Sequence, residues 1–325
     1  MLELPRRALP VLPFGLATTA SAQSPSVIRG RDGWLFFAWD DPARADLSRL
    51  PRVTGIVRDA AAELERAGIR CAALVIPSKF RIYRDKLPPG AVIAPEAERR
   101  YAAALQALRG GVASAPDVSA ALLERRRASP EQEVFFRGDT HWTPTGAAVA
   151  AHLLGRDIAG QLPPARHAGV RLGPVVTETR VRRDLVELLP AGERPSHPPE
   201  AFTVRRPVEA SGRNALLDSV PSDVAVIGNS YMHPDFNFIN EFSASLNRPV
   251  ALHWRVQHYG PFRTLLEYLE GPVFRAERPR YLVWTFLEGT LTIPPENRGA
   301  YPEHNMTGDA FLEAVRRALA ARPRR

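Results

Sequence analysis

Apolar strands alternating with amphipathic helices predict an α/β fold built on a central parallel sheet. Three stretches carry that reading. A helix over Val53 to Ala67, closed by Gly68, runs into the apolar strand Cys71 to Ile76. The strand Val224 to Ile227 leads through Gly-Asn-Ser to a helix over Phe238 to Leu246. A strand over Tyr281 to Phe286 precedes a last helix over Gly308 to Ala321, with Phe311, Ala314, Val315 and Leu319 on its inner face. The 325 residues, 45% hydrophobic and 24% charged, suit one large domain or two smaller ones.

The remaining elements follow in order. Val27 to Phe37 reads as a hairpin turning at Asp32-Gly33. Pro77-Ser78-Lys79 comes at the carboxyl end of the strand Cys71 to Ile76, the edge where open α/β sheets place their sites. Lys79 there either faces a cleft or is a solvated loop lysine. A helix over Pro95 to Leu108 ends at Gly110-Gly111; a short strand near Val112 and a helix from about Val118 to Arg127 come next. Glu133 to Phe136 reads as another short strand. Between Gln161 and Pro221 the pattern weakens into prolines, arginines and short alternating pieces, the mark of an insertion within one domain. A strand at Val250 to Trp254, a loop over His258 to Pro261 and a helix over Phe262 to Leu269 complete the set.

The formal charge is +8, but no basic stripe interleaved with aromatics accompanies it, so nucleic acid is not an expected partner. A single cysteine, Cys71, rules out an intramolecular disulfide and reads as a buried strand residue. At the N-terminus, Arg6-Arg7, a weak apolar run from Ala8 to Ala17 and Ala20-Ser21-Ala22 together read as a secretion signal over residues 1–22, of Sec or Tat type. The alternative is a disordered cytosolic tail. Residues 23–325 then form the mature domain, and no later run approaches the length of a membrane span.

Chemistry concentrates at two strand ends. In Phe136-Arg137-Gly138-Asp139-Thr140-His141-Trp142-Thr143-Pro144, an acid and an imidazole stand two residues apart, just ahead of a helix. Thr143 can cap that helix, and Pro144 suits its first turn because the missing N–H would have no partner there. Asp139 can hold one ring nitrogen of His141, leaving the other to take a proton from a nucleophile. Ser230, after an apolar strand and Gly228, is the candidate nucleophile. Its hydroxyl can stand at the strand end while nearby backbone N–H groups face an oxyanion. The competing readings are a structural histidine and a turn serine. Asp139, His141, His233, His253 and His258 lack the i, i+4 spacing of helical zinc sites, so no metal is expected. Acyl chemistry on serine calls for no cofactor either.

At this point the sequence resembles the SGNH-hydrolase-like polysaccharide O-acetyltransferases of the AlgX/AlgJ alginate type. The likeness is carried by Gly33-Trp34-Leu35-Phe36, Pro77-Ser78-Lys79, Asp139-Thr140-His141-Trp142-Thr143, Gly228-Asn229-Ser230-Tyr231, Phe236-Asn237-Phe238, Gly260-Pro261-Phe262 and Val283-Trp284-Thr285-Phe286. It implies a three-layer SGNH-hydrolase-like fold, circularly permuted so that Asp-x-His precedes Ser, with Asp139, His141 and Ser230 catalytic. It also implies an oxyanion hole from the Ser230 and Gly260 N–H groups. The usual asparagine of that hole is missing, since Leu287-Glu288-Gly289 stands in its place, and Asn229 replaces the Asp of many relatives. The carbohydrate-binding module of the AlgX type is expected to be absent. Trp142, Tyr231 and Lys79 are candidate substrate contacts, and Trp34, Trp142 and Trp284 could line a sugar cleft or fill the core. The implied activity is extracytoplasmic, periplasmic acetyl transfer through an acyl-serine to a polysaccharide, an anionic one by the charge balance, fed by a membrane-bound acyl-transfer partner of the MBOAT type. An acetyl esterase and a non-catalytic polysaccharide-binding scaffold are the alternatives.

Overall fold

Residues 26–208 and 221–321 are described by a computed structural model. The expected signal segment, residues 1–22, lies outside them. Four strands form one parallel sheet: β3 (Arg70–Ile76), β8 (Tyr281–Leu287), β6 (Val224–Gly228) and β7 (Val250–Trp254), in that spatial order. Side chains alternate across a strand, so each strand feeds two cores. Ala72, Leu74, Ile76, Val226 and Val283 face one core; Cys71, Ala73, Val75, Ile227 and Trp284 face the other. Burial on both faces explains why these strands read as continuous apolar runs. Cys71 is buried and unpaired, as its neighbours imply.

Helices cover both faces and make three layers. The first core packs under α4 (Val118–Ala128), α5 (Pro144–Ala159) and α7 (Phe238–Leu246). The second packs under α1 (Leu50–Arg66), α3 (Pro95–Leu108), α8 (Gly260–Glu270) and α10 (Gly308–Ala320). The short helices α2 (Lys79–Ile82) and α9 (Pro272–Glu277) were not expected from the sequence. An N-terminal hairpin pairs β1 (Val27–Arg29) with β2 (Leu35–Phe37). Its turn puts Asp32 and Gly33 at φ of 53° and 74°, as a tight type I′ turn requires.

Two expected strands dissolve into local pairings. Near Val112 only brief bridging occurs, with the Ala113 N–H donating to Cys71 O at 2.7 Å and the Ala73 N–H to Ser114 O at 2.9 Å. Glu133 to Phe136 joins no sheet. Its backbone closes on the next turn instead, through Phe136 N–H to His141 O and Thr143 N–H to Val134 O. That closure makes the acid-and-imidazole stretch a self-contained loop.

The weakly patterned region contains an antiparallel hairpin of β4 (Leu172–Arg180) and β5 (Glu200–Pro207), with the one-turn helix α6 (Asp184–Glu187) between them. Few of its residues are buried, so it shows little hydrophobic periodicity. Buried Glu241 of α7 anchors it by accepting from Arg205 at 2.5 Å, and Glu241 also contacts His152 of α5 at 2.9 Å.

Gly146, in the first turn of α5, lets that helix pass directly over the Val134 carbonyl, where a Cβ would collide. Gly146→Ala should therefore destabilise the fold by about 1–3 kcal/mol, as overpacking does, read as a lower midpoint in thermal unfolding. An unchanged midpoint would mean that the helix can lift at no cost.

Candidate active site

The two chemical stretches meet where Ser230 follows the carboxyl end of β6 and the loop ahead of α5 brings His141 to it. Thr143 caps α5, its hydroxyl accepting from the Gly146 N–H at 3.2 Å, with Pro144 in the first turn as the sequence implies. This holds the loop carrying Asp139 and His141 just ahead of the helix. Ser230 opens a 3₁₀ turn beyond β6, and Asn229 stabilises that turn by accepting from the Tyr231 N–H at 3.0 Å. An aspartate could make the same bond, so the exchange leaves the turn's geometry supported.

His141 lies between the two. Its Nε2 is 2.8 Å from Ser230 Oγ, and its Nδ1 is 2.6 Å from Asp139 Oδ1. Asp139 is fully buried. Burial alone would push its carboxyl up, but hydrogen bonding and charge from His141, with the Arg180 guanidinium, hold it well below the usual carboxylate range. An ionised carboxylate only accepts, so Nδ1 must carry the proton and Nε2 offers its lone pair to Ser230.

Three contacts fix this line of atoms. Arg180, the last residue of β4, donates Nε and Nη2 to Asp139 Oδ2 at 3.1 and 3.0 Å, leaving Oδ1 for the imidazole. The Trp142 indole donates to Tyr231 O at 3.1 Å, and the Tyr231 hydroxyl donates to Thr140 O at 2.7 Å. This reciprocal pair ties the loop of Asp139 and His141 to the turn of Ser230. Phe236 stacks on His141 with ring centres 4.6 Å apart, and the Arg180 guanidinium lies over the Phe236 ring at 4.9 Å from its centre.

The expected substrate contacts are placed differently. Trp142 is fully buried and stacked on Phe238, so no sugar can reach it. Trp34 and Trp284 are buried as well. Tyr231 is nearly buried and acts through the Thr140 bond, although its ring edges a pocket. Lys79 is neither a solvated loop lysine nor free to bind substrate. Its ammonium donates to Leu35 O, Arg137 O and Asp139 O at 2.7, 2.8 and 3.0 Å, pinning β2 to the base's loop. Burial pulls its pKa down to about 7 against the nearby carboxylates of Glu200 and Asp139.

Gly260, the first residue of α8, has a φ of 70° and packs against Tyr301, leaving no room for a side chain. It lines a small apolar cavity with Gly228 and Asn229, beside the nucleophile's turn. The first N–H groups of a helix lack intrahelical partners and suit an anion. Glu288, at the position of the missing asparagine, is fully buried. It accepts from Arg81, Arg100 and the Ser78 N–H, and burial's upward push on its carboxyl is outweighed by the two arginines. An ionised acceptor supplies no oxyanion donor.

Sequence reasoning missed Arg180 and Asp184. Asp184 Oδ1 accepts from the Thr140 N–H at 2.7 Å, and its Oδ2 lies 3.6 Å from His141 Nδ1. Burial, and then the Asp139 charge, push its carboxyl up. Both residues sit in the arginine-rich insertion, where neither periodicity nor a motif marks them. Asp139, His141 and Asp184 offer donor atoms within 4.8 Å of one another, but a cation there would have to replace the proton between His141 Nδ1 and Asp139 Oδ1. His233 and His253 contact Asp235 and Glu267 instead, and His258 packs on Tyr259.

Known proteins share this architecture. Residues 27–288 match the family model described as SGNH hydrolase-like domain, acetyltransferase AlgX. A probable alginate O-acetylase AlgJ of Pseudomonas syringae pv. tomato is 29% identical over 298 residues, covering 88% of this chain and 71% of that protein. The alginate biosynthesis protein AlgX of Pseudomonas aeruginosa is 25% identical over 272 residues, 80% of this chain and 55% of that one. Among solved structures, the O-acetyltransferase domain of Pseudomonas putida AlgJ superposes with a TM-score of 0.69 at 28% identity, covering 91% of this chain and all of that one. Bacillus cereus PatB1, 12% identical with a TM-score of 0.51 over 80% of this chain and 95% of its own, shares the fold.

The buried Lys79 ammonium gives a pH-dependent test. Its folded pKa of about 7 lies below the unfolded value, so between them the unfolded chain holds a proton that the folded chain has released. Stability from this group should therefore rise with pH above 7, by at most about 1.4 kcal/mol per pH unit, toward the unfolded value near 10. Denaturant unfolding of the wild type and Lys79→Met at pH 7 and 9 should show the wild type gaining relative to the variant. Parallel pH dependences would place the lysine in water.

Proposed function

The chain belongs to the SGNH hydrolase-like family of the acetyltransferase AlgX, and we propose that it is an O-acetyltransferase acting on a polysaccharide through an acyl-serine at Ser230. The observation that carries this reading is the continuous line from Asp139 through His141 to Ser230, at 2.6 and 2.8 Å. Relatives named as alginate O-acetylases support the polysaccharide as acceptor.

In the first half-reaction Ser230 Oγ attacks the carbonyl carbon of an acetyl donor while His141 Nε2 takes the hydroxyl proton. Asp139, kept ionised by Arg180, stabilises the imidazolium without accepting the proton itself. The negative oxygen of the tetrahedral intermediate lies at the Ser230 and Gly260 N–H groups, with the start of α8 adding a favourable dipole. The intermediate collapses, the donor's leaving oxygen departs with the proton from His141, and acetyl remains on Ser230. In the second half a sugar hydroxyl gives its proton to Nε2, attacks the acyl carbon and leaves as the acetyl ester, restoring Ser230. Transfer exceeds hydrolysis only where the acceptor is held at high effective concentration and water is poorly placed.

The remaining parts of the proposal concern setting. Residues 23–325 act as one catalytic domain with 161–221 as its insertion, exported by the segment 1–22 into the periplasm. There a membrane-bound acyl-transfer partner supplies acetyl. No helix among the described residues is long and apolar enough to cross a membrane.

Ser230→Ala should abolish acetyl labelling of the protein by an activated acetyl ester while preserving its unfolding midpoint. A variant still labelled at this turn would sink the assignment. Asp139→Asn should cost up to about 10⁴-fold in turnover, by analogy with serine proteases, and Arg180→Gln a smaller loss centred on kcat. A decrease of less than about tenfold for Asp139→Asn would reduce Asp139 to a turn residue.

Transferase and esterase separate by product. Incubated with acetyl donor and alginate-type or other anionic oligosaccharides, the enzyme should add acetyl mass to the oligosaccharide. Mass spectrometry that instead finds acetate released from pre-acetylated polymer, with no acceptor acetylated, would establish the esterase. Inertness toward both would leave the scaffold reading.

A further inference from the structure

Of the tryptophans considered for sugar contact, Trp34, Trp142 and Trp284 are all buried. A different one, Trp39, is exposed, with 40% of its surface open. It stands in the 3₁₀ turn Ala38–Asp40 that follows the N-terminal hairpin. Two contacts hold this indole in place. Phe37 stacks against it at 6.4 Å, and Gly289 beyond β8 fits beneath the indole edge.

Trp39 and Phe37 form one wall of a pocket at the carboxyl edge of the sheet. Thr140 and Tyr231, the chain neighbours of His141 and Ser230, form the wall nearest the triad. Asp40 and, to a small extent, Ser78 contribute polar surface, and buried Glu288 lies behind them. Glu288 is occupied by Arg81 and Arg100, whereas Asp40, bound by Arg100 at 2.5 Å, keeps about a fifth of its side chain exposed. The pocket thus pairs an aromatic face with the Asp40 carboxylate, against the chain neighbours of His141 and Ser230. Hydroxyl donors above an apolar ring face are the complement of that surface, and a sugar ring presents both.

We propose that this pocket is the acceptor subsite, in which Trp39 stacks on the sugar ring whose hydroxyl is acetylated. The inference rests on the acyl-serine reading above. The pocket opens to solvent, and Trp39 is the one exposed residue of its lining. The ring therefore lies across the mouth on Trp39, and its hydroxyls reach inward toward Asp40 and Ser78. A sugar carboxylate would meet Asp40 and Glu288 in the pocket, so on an anionic polymer that group points outward. Trp39 is a substrate-contacting residue here, and the first half-reaction does not need it.

The test separates binding from chemistry. Binding of alginate oligosaccharides and of neutral cello-oligosaccharides is measured by calorimetry on Ser230→Ala, which cannot turn over. At least one series should bind, Trp39→Ala added to that background should weaken it tenfold or more, and Trp39→Phe should stay within about threefold. In the otherwise wild-type enzyme, Trp39→Ala should raise KM for the oligosaccharide more than it lowers kcat. Equal binding with and without the indole, or no binding by either series, would overturn the subsite. Failure of Ser230 labelling with binding intact and dependent on Trp39 would instead remove the acyl-serine reading and leave the sugar site standing.

Discussion

A buried negative charge governs the site. Asp139 has no exposure to water, so its carboxylate exists only because the surrounding groups replace the solvation it loses. His141 takes one oxygen and Arg180 the other. Everything that gives the imidazole its role follows from this. The ionised acid dictates the tautomer, the tautomer turns a lone pair toward Ser230, and the serine turn is held at the matching distance by the Trp142 and Tyr231 hydrogen bonds. Removing one partner of such a buried pair leaves an uncompensated charge, which is why the scaffold commits so many contacts to one loop.

Lys79 performs a related task through backbone rather than charge. Three carbonyls from β2 and from the loop before His141 converge on its ammonium, a donor with three hydrogens and no acceptor. Irregular loops expose carbonyls that no ladder satisfies, and here a single side chain satisfies three of them. A lysine at the mouth of a cleft reads as a substrate contact. Turned inward, it is the fastening that makes a loop rigid enough for catalysis.

A second buried polar cluster lies across the strand ends from the triad. Glu288, Arg81, Arg100 and Asp40 neutralise one another where other SGNH enzymes supply an asparagine donor. The cluster places acceptors rather than an oxyanion donor at that edge, since carboxylates accept and do not donate. It also supports the turn on which Trp39 stands. In the mechanism proposed, the strand ends divide into an acylation side, toward Gly260, and an acceptor side, toward Trp39.

Much of this was legible in the chain because it is local. The helices over 95–108 and 238–246 and the strand over 250–254 have the bounds their periodicity indicates, because capping and burial act within a few residues. Thr143 and Pro144 start α5 as their chemistry requires. Ser230 stood out because it follows an apolar strand and Gly228, and Asp139 and His141 because an acid and an imidazole stand two residues apart just ahead of a capped helix. The sequence by itself determined the layers, the motifs and their chain order. What only the tertiary structure decided was where long side chains end. Arg180 reaches Asp139 from a hairpin with almost no buried face, so no periodicity could mark it. Lys79 and Trp142 turn inward and Trp39 outward, although all four tryptophans at issue are equally apolar in sequence. Side-chain direction at an irregular turn depends on partners tens to hundreds of residues away, and the identity of those partners is settled only when the chain has packed.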